Sequence, residues 1–141
     1  GCWEASWYQR GNGDFSLVIT SKAKVGFLNC TELWFAQHAR VYGKQGAQII
    51  VCPRATPTST APKWLVGGQA AAVISGAFCL SSNLVGNTPE GGDFAGVGWI
   101  AEPEEGVILG QTSGAEPFVT VDVDLSDADR AKATYPRYVH E

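Results

Sequence analysis

The chain has 141 residues and 15.0 kDa, is 45% hydrophobic and 17% charged, and scatters 17 glycines and 7 prolines without a period. That fits a single core and excludes collagen-like, solenoid and low-complexity architectures. Ten Lys and Arg against 14 Asp and Glu give a net charge of -4 with no basic run, which argues against a nucleic-acid partner. No stretch approaches the roughly 20 apolar residues of a membrane span, and Gly1-Cys2-Trp3-Glu4 does not resemble a secretory leader, so no membrane partner is expected. The acidic charge is concentrated late, with three basic and eleven acidic side chains over residues 90–141, which reads as a solvated acidic end. Cys2, Cys30, Cys52 and Cys79 stand far apart with only His38 and His140 as companions, so a zinc site has no support. Reduced thiols and a cytoplasmic location are expected.

In chain order, Phe15 to Thr20 is rich in β-formers and pairs as a hairpin with the apolar run Val25 to Asn29. Helical spacing follows from Glu32 to Gln45, with Gly46 where a C-cap belongs. Ala47 to Cys52 reads as a buried strand, Arg54 to Pro62 as a loop, and Trp64 to Ser75 as an Ala-rich helix weakened by Gly67-Gly68 and capped by Gly76. Ala77 to Leu84 is strand-like again. After a Gly-rich turn come three predicted strands, 97–101, 106–109 and 118–124, and Ser126-x-x-Asp129 opens a short last helix. Strand and helix alternate first and strands follow one another later, which points to an α/β layered fold with a mixed sheet.

Cys30 is the residue where this order meets chemistry. It closes an apolar strand just where a helix starts, so free backbone N–H groups and the helix dipole would favour a thiolate, and the N–H of Thr31 would be placed to hold an oxyanion. Position alone leaves the alternative open, because a solitary cysteine is most often a small core residue.

At these residues the chain resembles the carbon-nitrogen hydrolase, or nitrilase, superfamily. Gly26-Phe27-Leu28-Asn29-Cys30-Thr31-Glu32-Leu33-Trp34-Phe35, followed by His38-Ala39-Arg40 and Gly46 to Pro53, is similar to that family's nucleophile segment. Phe94-x-Gly96-x-Gly98-x-Ile100-x-x-Pro103-x-x-Gly106 resembles its late hairpin, Val121 to Leu125 its last strand, and Tyr135-Pro136-x-Tyr138 its tail.

The resemblance implies the C-terminal half of a four-layer α-β-β-α sandwich with mixed sheets, spanning residues 1–141, whose sheets draw on both halves of the chain. It also implies a cofactor-free cysteine hydrolase of amides, carbamoyl groups or nitriles. In that mechanism the thiolate attacks, a Glu shuttles the proton, a Lys with a backbone N–H holds the negative charge, and water cleaves the thioester. Carried onto this sequence, Cys30 is the nucleophile, Thr31 offers the oxyanion N–H, and Glu4, in Trp3-Glu4-x-x-Trp7-Tyr8, matches a further active-site glutamate. The general-base Glu and the Lys fall in an N-terminal portion that this sequence does not contain. Lys22 and Lys24 read as solvated hairpin residues.

Family members that take N-carbamoyl amino acids place arginines soon after the cysteine; here those positions are Leu33 and Trp34, which favours a small neutral amide or nitrile, with Arg54 the one alternative cation. Trp34, Ala55 and Thr56 are the candidate pocket-lining residues, with plain packing an equal reading for Trp34. Ala36-Gln37 replaces the usual Pro-Glu, Gly67-Gly68 replaces a commonly basic stretch, and Asn83 reads as structural. Homo-oligomers are expected through the helices at about 32–45 and 64–75, with Val41 and Val73 as contact candidates, and a missing N-terminal half is a possible partner. Two function classes follow: a hydrolase completed by that half, or a non-catalytic remnant serving as an interaction module. A redox role is weaker, since no cysteine pair has a recognisable spacing.

Overall fold

A computed structural model describes residues 4–141, at Glu4 the backbone alone. The main sheet has six strands in the order β1-β2-β3-β4-β7-β8, where β1 is Val18–Ile19, β2 Lys24–Phe27, β3 Ile49–Arg54, β4 Phe78–Asn83, β7 Trp99–Ala101 and β8 Ile108–Gln111. Its middle, β2-β3-β4, is parallel, and antiparallel strands flank it on both sides. The sheet is therefore mixed, as the sequence order implied. Helices α1 (Ala36–Lys44) and α2 (Ala61–Ser75) are the two crossovers, and they pack on each other and on one face of the sheet.

Along β3 and β4 alternate residues point to opposite faces. Ile50, Cys52, Cys79, Ser81, Trp99 and Ala101 lie under the helices and are buried. Their core partners include Leu28, Leu33, Ala39, Tyr42, Ala71 and Ala72. Leu33 thus enters the same core as the parallel strands, with Cys30 packed against it.

Gly76 ends α2 as expected: at φ +62 it takes the left-handed cap that other residues adopt only with strain, and its N–H bonds Ala72 O. Gly67 and Gly68 serve a different purpose from capping or flexibility. A Cβ at Gly68 would lie 2.3 Å from the Trp99 indole, and one at Gly67 3.0 Å from Trp34, so the glycine pair is the seat of two tryptophan rings.

Four expectations are corrected. Phe118 to Asp124 forms no strand: it lies alongside β8, where a Cβ on Gly110 would meet Val119 at 2.8 Å, but it makes no ladder bonds and Phe118 is 92% exposed. Its Val-x-Val alternation is real, and alternation without a hydrogen-bonding neighbour does not make a strand. The helix expected over 32–45 is broken at Phe35 into a 3-10 turn, Cys30–Trp34, and α1. The last helix, α3 (Leu125–Ala131), is capped by Asp124, whose carboxylate accepts from Ser126 N at 2.9 Å; Ser126 lies inside it. The Gly-rich turn contains a separate hairpin, β5 (Val85–Asn87) with β6 (Asp93–Ala95). After α3 the tail folds back on α1, with Arg40 Nη1 donating to Arg137 O at 2.9 Å and Arg137 Nη2 to Glu104 Oε2 at 2.7 Å.

Candidate active site

Cys30 stands at the C-terminal end of β2 and is the single non-glycine residue with positive φ among the described residues, at φ 48. Leu28 N still bonds Val51 O at 3.0 Å, so the parallel pairing of β2 with β3 runs to within two residues of it. The chain then reverses into the 3-10 turn. Glu32 fastens that reversal: its Oε2 accepts from Asn29 N at 2.7 Å and its own N–H bonds Asn29 O at 3.1 Å. A left-handed backbone at a residue with a side chain costs roughly 1–2 kcal/mol. Strain of that kind, held in place by a capping carboxylate, clusters at reactive positions. The side chain of Cys30 is half-buried and Thr31, next on the turn, is exposed.

Behind the turn lies Cys52, whose Sγ is 3.8 Å from Cys30 O. Burial pushes the Cys52 thiol up to about 11 and the Cys79 thiol up to about 12, so both are neutral at ordinary pH. Cys30 differs from them in access to solvent.

The expected pocket residues do not converge on one cavity. Trp34 packs on Trp64 with ring centroids 5.0 Å apart and its indole lies against Gly67, which gives it a packing role; it is also 42% exposed beside the cysteine turn. Ala55 is exposed, whereas Thr56 is buried and clamped: its N–H donates to Asn83 Oδ1 at 2.9 Å, and Asn83 Nδ2 donates to Thr56 O at 3.1 Å. Asn83 is structural, as expected. Glu4 lies outside the described side chains.

Arg54 is the residue that sequence reasoning misplaced. It ends β3, is 7% exposed, and offers no free fork to a substrate carboxylate. Its Nε donates to Ser81 Oγ at 2.7 Å, Nη1 to Thr56 Oγ1 at 2.6 Å and Nη2 to Val97 O. The guanidinium stacks 4.3 Å from the Trp99 ring and 5.2 Å from Trp64. Gly68 was the available signal, since a Cβ there would lie 2.3 Å from the Trp99 ring on which the guanidinium stacks.

A groove of about 490 Å³ opens on the other face of the sheet, lined by Phe27, Val51, Pro53, Leu80, Asn83 and Phe118 among others. None of the expected site residues with a described side chain lines it. Among the described residues no group of three or more His, Cys, Asp or Glu could hold a metal, and no helix is long and apolar enough to cross a membrane.

A strained cysteine at a parallel strand end, two crossover helices on one face and a mixed sheet define a class, and the comparisons with known proteins name it. Residues 1–133 match the carbon-nitrogen hydrolase family, and the chain belongs to it. A protein of Schizosaccharomyces pombe described as a probable nitrilase is 27% identical over 132 residues, covering 94% of this chain and 48% of that protein. In fold the chain matches a carbon-nitrogen hydrolase of Helicobacter pylori G27 with TM-score 0.85 at 21% identity, over 96% of this chain and 52% of the other. Nit3 of Saccharomyces cerevisiae, a member of branch 10 of the nitrilase superfamily, matches with TM-score 0.81 at 19% identity, over 94% of this chain and 49% of its own. The chain thus spans about half the length of these relatives.

Proposed function

We propose that this chain is the C-terminal portion of a hydrolase that cleaves a small neutral, non-peptide amide or a nitrile through a covalent intermediate on Cys30. The observation that carries the reading is the strained, half-buried Cys30 at the end of β2. Its thiolate adds to the carbonyl or nitrile carbon, forming the C–S bond, while the N–H of Thr31 faces the developing negative charge. An amide then loses its protonated leaving nitrogen to give a thioester, and a nitrile gives a thioimidate; water hydrolyses either and returns the thiol. The proton shuttle and the lysine belong to the N-terminal portion, with Glu4 as the supporting carboxylate. Trp34 and Ala55, both exposed, border the substrate, and Thr56, clamped by Asn83, steadies the segment that carries Ala55. The engagement of Arg54 with neutral partners supports a neutral substrate. No metal or cofactor takes part.

Self-association runs through α1 and α2, where Val41 is 43% exposed. Val41→Glu is expected to lower the mass found by light scattering, and an unchanged mass counts against that surface. A cytoplasmic location goes with this reading.

The primary test is alkylation of the native chain with iodoacetamide near neutral pH, followed by peptide mapping. Cys30 is expected to react at least about tenfold faster than Cys52 and Cys79. Equal, slow reaction of all three would favour the second reading, a non-catalytic remnant that keeps the fold as an interaction module. Once the chain is assembled with its N-terminal portion, Cys30→Ser is expected to reduce amide or nitrile hydrolysis by at least about 10³-fold.

A further inference from the structure

The N–H of Thr31 is one half of a peptide unit whose other half is the Cys30 carbonyl. That unit is trans, since the cis bond among the described residues is Tyr135–Pro136, and in a trans peptide C=O and N–H point in opposite directions. Whatever holds the Cys30 oxygen therefore sets the direction of the Thr31 N–H. As the second residue of the 3-10 turn, Thr31 has no acceptor for that proton inside the turn, and among the described residues no backbone acceptor outside it takes it either. The donor is free for a ligand.

The oxygen is held from the core. β2 ends at Phe27, opposite Val51, whereas β3 runs on to Arg54, so Cys52 is the first β3 residue beside the chain that leaves the sheet. Its side chain is 1% exposed, and its thiol donates to Cys30 O across 3.8 Å. A carbonyl oxygen has two lone pairs, so the i→i+3 pattern of the turn leaves one for this donor. Burial pushes the Cys52 thiol up to about 11, which keeps its proton on the sulfur at ordinary pH. The carbonyl thus faces buried β3, and the N–H of the same plane is turned away from it, on the side where Thr31 is exposed. Glu32 does not duplicate this hold: its carboxylate and its N–H engage Asn29, on the other side of the cysteine. An aliphatic side chain at position 52 would fill the space and leave the peptide plane to the turn alone.

We propose that Cys52 is a positioning residue for the reaction at Cys30: its S–H holds the Cys30 carbonyl and so directs the Thr31 N–H at the substrate atom on which negative charge develops. It touches no substrate. This rests on Cys30 being the nucleophile, and it deepens that reading by naming the buried group that aims the oxyanion donor.

Two reagents separate the oxyanion from the thiolate. The ester p-nitrophenyl acetate acylates Cys30 through a tetrahedral oxyanion: the C–S bond forms, the C–O bond to nitrophenolate breaks, and the acetyl group stays on sulfur as a thioester. Iodoacetamide forms its C–S bond by displacing iodide, with no oxyanion. The ratio of the two rates at Cys30, followed in the full chain by peptide mapping, cancels access and thiolate content and reads the N–H. It is expected to be about tenfold higher in the native than in the urea-unfolded chain. Cys52→Ala and Cys52→Ser both remove the sulfur and differ in one donor. The ratio should fall at least about threefold in Cys52→Ala and stay near the wild-type value in Cys52→Ser, with the iodoacetamide rate at Cys30 unchanged within about twofold. Slow reaction at buried Cys79 reports that the fold is intact; if either variant exposes Cys79, the bulkier pair Cys52→Val and Cys52→Thr, again differing in one donor, replaces them with the same expectation. A ratio unchanged by loss of the donor, or as low with the hydroxyl as without it, overturns the proposal, and so does a native wild-type ratio no higher than the unfolded one. Slow reaction of Cys30 with iodoacetamide in the native wild type removes the nucleophile reading and this proposal together, whereas a fast Cys30 whose ratio ignores residue 52 removes this proposal alone.

Discussion

The two faces of the main sheet are made of the same kind of residues and end in opposite states. Under α1 and α2, Ile50, Cys52, Cys79, Trp99 and Ala101 are each at most 1% exposed. On the other face Phe27 is 51% exposed, Val51, Leu80 and Ile100 are half-buried, and the groove of about 490 Å³ lies between them. Parallel strands buried on both sides read as continuous apolar runs, and β2 to β4 read that way. Sequence hydrophobicity therefore reports which residues are suited to burial, while the position of the helices decides which of them are buried within the described residues.

The sharpest way to break this contrast is to remove the keystone of the helix-covered face. Trp99→Ala should lower stability in chemical denaturation by about 3–5 kcal/mol, since Trp99 is 1% exposed and seats on Gly68. Raising the pH attacks the same face chemically. Cys52 and Cys79 are pushed up from 9.0 to about 11 and about 12 by burial. Because the folded values lie above the unfolded ones, their contribution is complete below pH 9 and is lost as the pH rises through the folded values. A loss on the order of 3 kcal/mol is expected in urea titrations toward pH 11, and Cys79→Ala should flatten the slope. Next, Gly68→Ala should destabilise by about 1–3 kcal/mol, as the added Cβ would fall 2.3 Å from the Trp99 indole; an unchanged midpoint would mean that α2 can shift away. On the open face, Phe118→Ser should change the stability of the chain by less than about 0.5 kcal/mol, because Phe118 is 92% exposed. An effect as large as that of Gly68→Ala would show that the open face is covered in solution.

The parts of the fold that are legible in the sequence are those governed by neighbours along the chain. The parallel strands, α2 with its Gly76 cap and the strand-to-turn placement of Cys30 depend on local apolar runs and cap chemistry, and all are found. The β5–β6 hairpin escaped because its strands are three residues long and Gly86 and Gly91 dilute any alternation. Phe118 to Asp124 misled for the converse reason, a strand pattern with no bonded neighbour. The strand-end position of Cys30 and the structural part played by Asn83 were legible from their places in the chain. The fate of Arg54 was not, because a loop arginine and a buried one carry the same letter.

The sequence by itself determined the family, the alternation of strands and crossover helices, and the cysteine at the end of β2, since each rests on motif spacing or short-range periodicity. Only the tertiary structure decided that Gly67 and Gly68 seat two tryptophans, that Trp99 and Trp64 face the Arg54 guanidinium, and that the Cys52 thiol meets the Cys30 carbonyl. Those relations join residues far apart in the chain. Their energies come from close approach and from low dielectric, which exist only once the layers have packed.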